Sequence, residues 1–438
     1  MPIDLNQNLH QTRLKNGLRV MLKEIHTAPV TSTWIWYGIG SRNELPGKTG
    51  LSHWVEHMQF KGTQKYSGDD IDDLVSRVGG YANAFTSADW TTYFETMPSA
   101  HLRSTLALEA DRMVNSRFDP ADVETERTVI LSEREGSENY PEFRLDESVQ
   151  QRAFREHPYR NEVLGFREDL IHHTRDDLYG HYRRYYQPSN AILCVAGDIN
   201  PQAVLGDVEA LFGEIPSVPL SPIIPNPENT LEPGERIDME GPGEAHYLEI
   251  AWRCPSASDP DFFAYAIIES LLSGPSSLNM FGSGGISNRT SRLYQALVEE
   301  DLAASIFGDL SATIDPGVYK VFATIRPDGD PLAALNAIDE QVRLLCASAL
   351  SATEIERAIK QASALFAYGS DNITNQGFWM GYASSFADYQ WVAEYLPRLR
   401  AVTPDQVLNA ARKYLRAAFR TWSGVTARRR GRYSATHW

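Results

Sequence analysis

The sequence predicts an α/β (α+β) protein made of two similar mixed α/β domains, and three observations carry the expectation. At 438 residues the chain is longer than one hydrophobic core ordinarily organises. Pro216, Pro219, Pro222, Pro225, Pro227 and Pro233 recur through a segment too proline-rich for a helix or a central strand. This marks a linker at 216–235 between a domain over 1–215 and one over 236–438. On either side, strand-like apolar runs, helical stretches, a closing strand and a long helical region follow in similar outline, a weak internal duplication.

In the first half, residues 17–22 (Gly-Leu-Arg-Val-Met-Leu) and 30–37 (Val-Thr-Ser-Thr-Trp-Ile-Trp-Tyr) read as strands. Gly38, Gly40 and Ser41 then punctuate the chain before a helix over 51–60. A second helix is expected over 69–78, where Ile71, Leu74, Val75 and Val78 recur at helical spacing before Gly79-Gly80. The period then falls to two, so 81–86 and 91–97 read as a hairpin about Ser87-Ala88-Asp89-Trp90. Residues 191–195 form a later buried strand that ends at Gly197-Asp198. The second half opens with a strand over 245–252 and a helix over 261–272. A glycine-rich loop at Gly282-Ser283-Gly284-Gly285 follows, then long helices. The basic run at 427–432 is expected to be a solvated tail.

Charge narrows the function classes. Against 41 basic side chains stand 57 acidic ones, a formal net charge of −16, which excludes a general binder of nucleic-acid phosphates. The first residues lack a charged region followed by an apolar one, and no stretch approaches the ~20 apolar residues that span a bilayer. No membrane partner and a cytoplasmic location are therefore expected. Cys194, Cys254 and Cys346 lie far apart in apolar surroundings, as buried thiols do.

The sharpest feature is His53-Trp54-Val55-Glu56-His57. On a helix, histidines four apart share one face and can aim a nitrogen each at one zinc ion. Glu56, one residue before the second histidine, lies beside the same metal and can take a proton from its water, the arrangement of the inverted motif HxxEH. Catalytic zinc needs a third protein ligand. Glu126 and Glu133, seven apart and so facing the same way on a helix, are the candidates; one would ligate while the other accepts the free N–H of a ligand histidine. Glu124, Glu135 and Glu138 are expected to be solvated helical glutamates.

The stretch 50–63, Gly-Leu-Ser-His-Trp-Val-Glu-His-Met-Gln-Phe-Lys-Gly-Thr, resembles the active-site signature of the insulinase, pitrilysin and mitochondrial processing peptidase family of inverzincins. The resemblance extends through 79–86 (Gly-Gly-Tyr-Ala-Asn-Ala-Phe-Thr), His157-Pro158-Tyr159, Gly197-Asp198, Ser291-Arg292-Leu293 and 402–407, nearly the whole chain. It implies one Zn²⁺ per chain, held by His53, His57 and Glu133, with Glu126 as the supporting carboxylate and Glu56 as the catalytic base. It implies further that Asn83 and Ala84 lie on an edge strand that binds extended peptide substrate, and that the two domains form one half of a clam-shell around a peptide chamber. At this length the chain resembles a single half, so a homologous partner subunit is expected.

One departure bears on the partner. Active relatives carry an arginine and a tyrosine after the Ser-Arg-Leu motif, and the matching positions here are Val298 and Ser305. Each missing oxyanion donor costs roughly 3 to 4 kcal/mol of transition-state stabilisation. A heterodimer, in which a different chain supplies the pair, is therefore favoured over a homodimer. The expected activity is a zinc metalloendopeptidase acting on peptides or unfolded segments. The alternative is a non-catalytic core or assembly subunit that binds peptides without cleaving them, although such relatives usually have degraded motifs. No feature supports a zinc amidase or esterase acting on small substrates.

Overall fold

The computed structural model describes residues 7–220, 228, 236–242, 245–275, 278, 287–348, 350–416 and 421–428. Pro222, Pro225, Pro227 and Pro233 of the expected linker, the loop Gly282–Gly285 and the tail beyond Arg428 lie outside the described residues.

The first sheet holds β1 (Leu9–Arg13), β2 (Arg19–Glu24), β3 (Val30–Tyr37), β4 (Tyr81–Thr86), β5 (Thr91–Pro98) and β6 (Ala191–Gly197), in the order β1-β2-β6-β3-β5-β4. The second holds β7 (Arg236–Pro242), β8 (His246–Arg253), β9 (Ser305–Leu310), β10 (Val318–Ile325) and β11 (Thr421–Arg428), in the order β7-β11-β8-β10-β9. The strands run in corresponding sense as well. β2 and β6 are parallel, as are β7 and β11, while every other neighbouring pair is antiparallel. Removing β1 superimposes one order on the other, so the duplicated outline is a duplicated sheet.

The expected elements shift only at their ends. Gly17 adopts φ +98° and its N–H donates to Leu14 O at 3.0 Å, which turns the chain and delays β2 to Arg19. Five helices follow the first strands: α1 (Leu51–Met58), α2 (Gly68–Ser76), α3 (Leu102–Asn115), α4 (Pro120–Glu138) and α5 (Pro141–Ala153). Ser67 caps α2, exchanging hydrogen bonds with Asp70 at both backbone and side chain. Trp54, Val55 and Met58 of α1 enter a fully buried core with Leu106 of α3, Ile130 of α4 and Leu193 of β6.

The chain forms two compact units that are not contiguous in sequence. The first gathers the described residues of Met1–Glu135, His157–Asn226 and Ala367–Tyr395; the second gathers those of Gly136–Glu156, Pro227–Phe366 and Leu396–Trp438. This differs from a division at 216–235. Within the second unit α5 covers β8 and β11, burying Leu145 and Val149 completely. Within the first, the helix Ile373–Phe386 covers β3 and β6. Helical spacing in a sequence reveals an apolar face but not the sheet that will cover it, which is why the exchange escaped the sequence reading.

Glycines permit the second of these contacts. A Cβ on Gly377 would fall 2.6 Å from Trp34 ring atoms, and one on Gly381 would fall 1.9 Å from Trp36 Nε1. The helix backbone thus lies directly on the indoles, where Phe378 meets Trp34 edge-on at 5.7 Å and Trp36 edge-on at 5.5 Å between ring centroids. The face under α5 is chemically different: Glu249 is 2% exposed there, and Lys320 pairs with Asp146 of the helix.

Candidate metal centre

α1 begins at Gly50, whose φ of +83° admits no ordinary side chain, and a Cβ there would strike Leu164 O at 2.7 Å. The helix start is held by Glu44. Its Oε2 accepts from Gly50 N at 2.8 Å and its Oε1 from Ser52 N at 2.7 Å, satisfying orphan amides at the positive end of the helix. With Trp54, Val55 and Met58 in the core, the opposite side of α1 presents His53, Glu56 and His57.

α4 brings the two glutamates to that side, and it separates their roles geometrically. Glu133 Oε2 lies 3.9 Å from His53 Nε2 and 3.7 Å from His57 Nε2. These three atoms all lie within 4.8 Å of one another, close enough for a single ion at bonds of ~2 Å to meet two imidazoles and one carboxylate. Glu126 points elsewhere. Its Oε2 is 3.0 Å from His57 Nδ1, and Lys61 pairs with its Oε1. A proton on His57 Nδ1, donated to Glu126, leaves the Nε2 lone pair free toward the cluster. Burial, assisted by the neighbouring His57, pushes His53 down to about 3, so its ring is the neutral, metal-binding form at ordinary pH. The donor set, its convergence and the neutral imidazole all suit zinc.

Glu56 adjoins the cluster. It is 9% exposed, and burial pushes its carboxyl up to about 7 against the opposing pull of a hydrogen bond that Thr86 Oγ1 donates to its Oε2 at 2.6 Å. Thr86 is the last residue of β4. Among the described residues that strand is an edge of the first sheet, pairing with β5 alone, and its Asn83 side chain is exposed while Ala84 is buried. Ala84 N donates to Asn83 Oδ1 at 2.8 Å, so the side chain covers an edge amide that a docking strand would otherwise find open.

Other expected positions divide by surroundings. Glu124 and Glu135 are exposed and paired with Arg127 and Arg167, whereas Glu138 is half-buried rather than solvated. Tyr159 OH donates to both oxygens of Asp89 at 2.8 and 2.9 Å, pinning the β4–β5 turn. Leu293 is fully buried, Arg292 donates to Glu354 at 2.8 Å, and Thr403 caps the helix Pro404–Tyr414. Val298 is half-buried at the end of the turn Tyr294–Val298, and Ser305 is exposed at the start of β9. Sequence reasoning did not single out Glu44, Lys61 or Thr86. Lys61 follows His57 by four residues but lies past the end of α1, so neither it nor Glu44 carried a signal.

Four buried groups give the metal-free chain a pH optimum of stability. Burial lowers His53 and His181 from 6.5 to about 3, so the unfolded chain binds their protons more readily and stability rises as pH climbs from 3 to 6.5. Burial raises Glu44 and Glu56 from 4.5 to about 7, so the folded chain binds theirs more readily and stability falls between 4.5 and 7. The opposed slopes cancel where the windows overlap. Thermal melts of chelator-treated protein at about pH 3.5, 5.5 and 7.5 should give the highest transition in the middle. A transition still rising at the highest pH would mean that both glutamates ionise freely in the fold.

A duplicated α/β chain with two histidines and a glutamate converging in its first unit falls in the class of two-domain chains equipped to hold a divalent metal. The comparisons with known proteins make the assignment specific: the chain belongs to the insulinase family of peptidases, M16. Residues 19–166 match the family pattern described as insulinase (peptidase family M16), and 172–362 match that described as the peptidase M16 inactive domain. An uncharacterized zinc protease of Streptomyces coelicolor is 27% identical over 93% of this chain and 87% of its own length. A probable mitochondrial-processing peptidase subunit beta of Arabidopsis thaliana is 28% identical over 72% of this chain, a match spanning 59% of that protein. In structure, a protease from Helicobacter pylori is similar at a TM-score of 0.88 and 25% identity, over 95% of this chain and 99% of that one. Among the described residues, no helix is long and apolar enough to cross a membrane.

Proposed function

We propose that the protein is a zinc-dependent metalloendopeptidase that hydrolyses peptides or unfolded segments within an enclosed chamber. The observation that carries this is the convergence of His53 Nε2, His57 Nε2 and Glu133 Oε2 beside the Glu56 carboxyl. His53, His57 and Glu133 would hold the ion. When bound, zinc supplies Lewis acidity at the scissile carbonyl and makes water a better acid. Glu126, braced by Lys61, orients His57 through Nδ1. Glu56 takes the proton of the attacking water and returns it to the departing amine nitrogen, acting first as base and then as acid. Extended substrate adds along β4 at Asn83 and Ala84, displacing the Asn83 side chain from Ala84 N, with main-chain hydrogen bonds giving affinity and side-chain fit giving selectivity.

A homologous partner subunit completes the site in this reading. Ser305 and the apolar Val298 stand where active relatives carry tyrosine and arginine, which supports a heterodimer over two copies of this chain. The same two positions favour the second reading, a subunit that binds peptides without cleaving them. A cytoplasmic setting accords with the buried free thiols Cys194 and Cys254.

The test is hydrolysis of a quenched fluorescent basic peptide by the purified chain, with and without chelator, alongside metal analysis. Chelator-sensitive cleavage is the expected outcome, in full if the chain supplies its own oxyanion donors and only after a partner is added if it does not. Absence of bound zinc would sink the peptidase reading in favour of the non-catalytic one.

A further inference from the structure

A carboxylate turns easily about its terminal bond, because sp³–sp² torsions are broad and two-fold, so nothing within Glu56 selects which oxygen faces the cluster. α1 fixes only the backbone that carries it. The selection comes from another element: among the described residues, the carboxylate's hydrogen bond is the one from Thr86 Oγ1 to Oε2, at 2.6 Å. A short bond from hydroxyl to carboxylate is of the strong, charge-assisted kind.

The proton in that bond is committed. A threonine hydroxyl has one O–H, and the neighbouring Thr91 Oγ1, 3.4 Å away, donates its own to Ile39 O at 2.9 Å. Thr86 and Thr91 face each other as the last pair of the β4–β5 ladder, and Ser87 N donates to Trp90 O at 2.8 Å to close the turn. Asp89 in that turn is gripped by Tyr159. The donor therefore stands on a clamped hairpin, and a β-branched side chain holds χ1 stiffly.

We infer that Thr86 is a positioning residue for Glu56: its hydroxyl occupies Oε2 and so assigns the proton transfer to Oε1. The inference rests on the peptidase reading for its catalytic meaning. It also ties the base to the strand along which substrate is proposed to lie, since β4 carries Asn83, Ala84 and Thr86 in one short run.

The test compares the parent chain with Thr86→Val, Thr86→Ser and Glu56→Gln, with any required partner present throughout. Thr86→Val should keep one zinc per chain and its KM, and lower kcat about tenfold, a fraction of the 10² to 10⁴ that general acid–base catalysis contributes. Thr86→Ser, which keeps the donor, should recover most of the rate. In a Glu56→Gln background the valine substitution should cost nothing further, since a group acting only through Glu56 has no separate effect. An unchanged kcat in Thr86→Val, no recovery with serine, or an additive loss in the double variant would overturn the inference. If the parent chain cleaves nothing, the peptidase reading fails by itself. A crystal structure of Thr86→Val then decides the positioning: a rotated Glu56 carboxylate sustains it, and an unmoved one overturns it.

Discussion

Replacing Glu56 with glutamine is expected to lower kcat on a test peptide by about 10² to 10⁴, with one zinc ion still bound per chain. The substitution keeps the side chain's length and still offers an acceptor oxygen to Thr86, so α1 and the metal ligands should be undisturbed. What it removes is the basic oxygen. A carboxylate can take a proton from the attacking water and give it back, whereas an amide does neither. Rate and metal content measured on the same preparation separate the outcomes. Loss of rate together with loss of zinc would make Glu56 a ligand, and retained rate would remove it from the chemistry.

The second large effect concerns the metal. Glu133→Gln is expected to weaken zinc binding by more than the roughly 10- to 100-fold typical of losing a carboxylate that supports a ligand histidine. The smaller loss is expected for Glu126→Gln. The distinction follows from where each carboxylate points: Glu133 Oε2 faces both Nε2 atoms, while Glu126 Oε2 faces His57 Nδ1. Glutamine at 133 withdraws a charged ligand from the ion, whereas glutamine at 126 still offers His57 an acceptor. Competition against a chelator of known affinity ranks the two variants without any need for turnover. A reversed ranking would make Glu126 the third ligand and Glu133 its support.

His53, Glu56 and His57 were legible because a helix converts a spacing of three and four residues directly into a shared face. The pair Glu126 and Glu133 was half legible. Their spacing of seven puts both on one side of α4, but only the direction from which α4 meets α1 separates a carboxylate near two Nε2 atoms from one near Nδ1. Glu44 could not be read at all, since its bonds to Gly50 and Ser52 depend on how the chain before α1 folds back. The strands were readable where β-branched and aromatic residues clustered, as in β3, and where period two marked them, as in β4 and β5. The assignment of α5 and of Ile373–Phe386 to their sheets was not, because Leu145 and Phe378 announce burial without naming a partner.

That exchange of helices sets a timetable for synthesis. The strands of the first sheet are complete in the growing chain once β6 has been made, yet the cover for Trp34 and Trp36 ends at Phe386. At the ordinary pace of translation the ribosome needs roughly ten to forty seconds to cross that interval. Throughout it, a stacked indole face stays bare on an otherwise finished sheet. The nascent protein therefore offers chaperones a defined apolar client surface, and offers aggregation the same surface when chaperones are scarce.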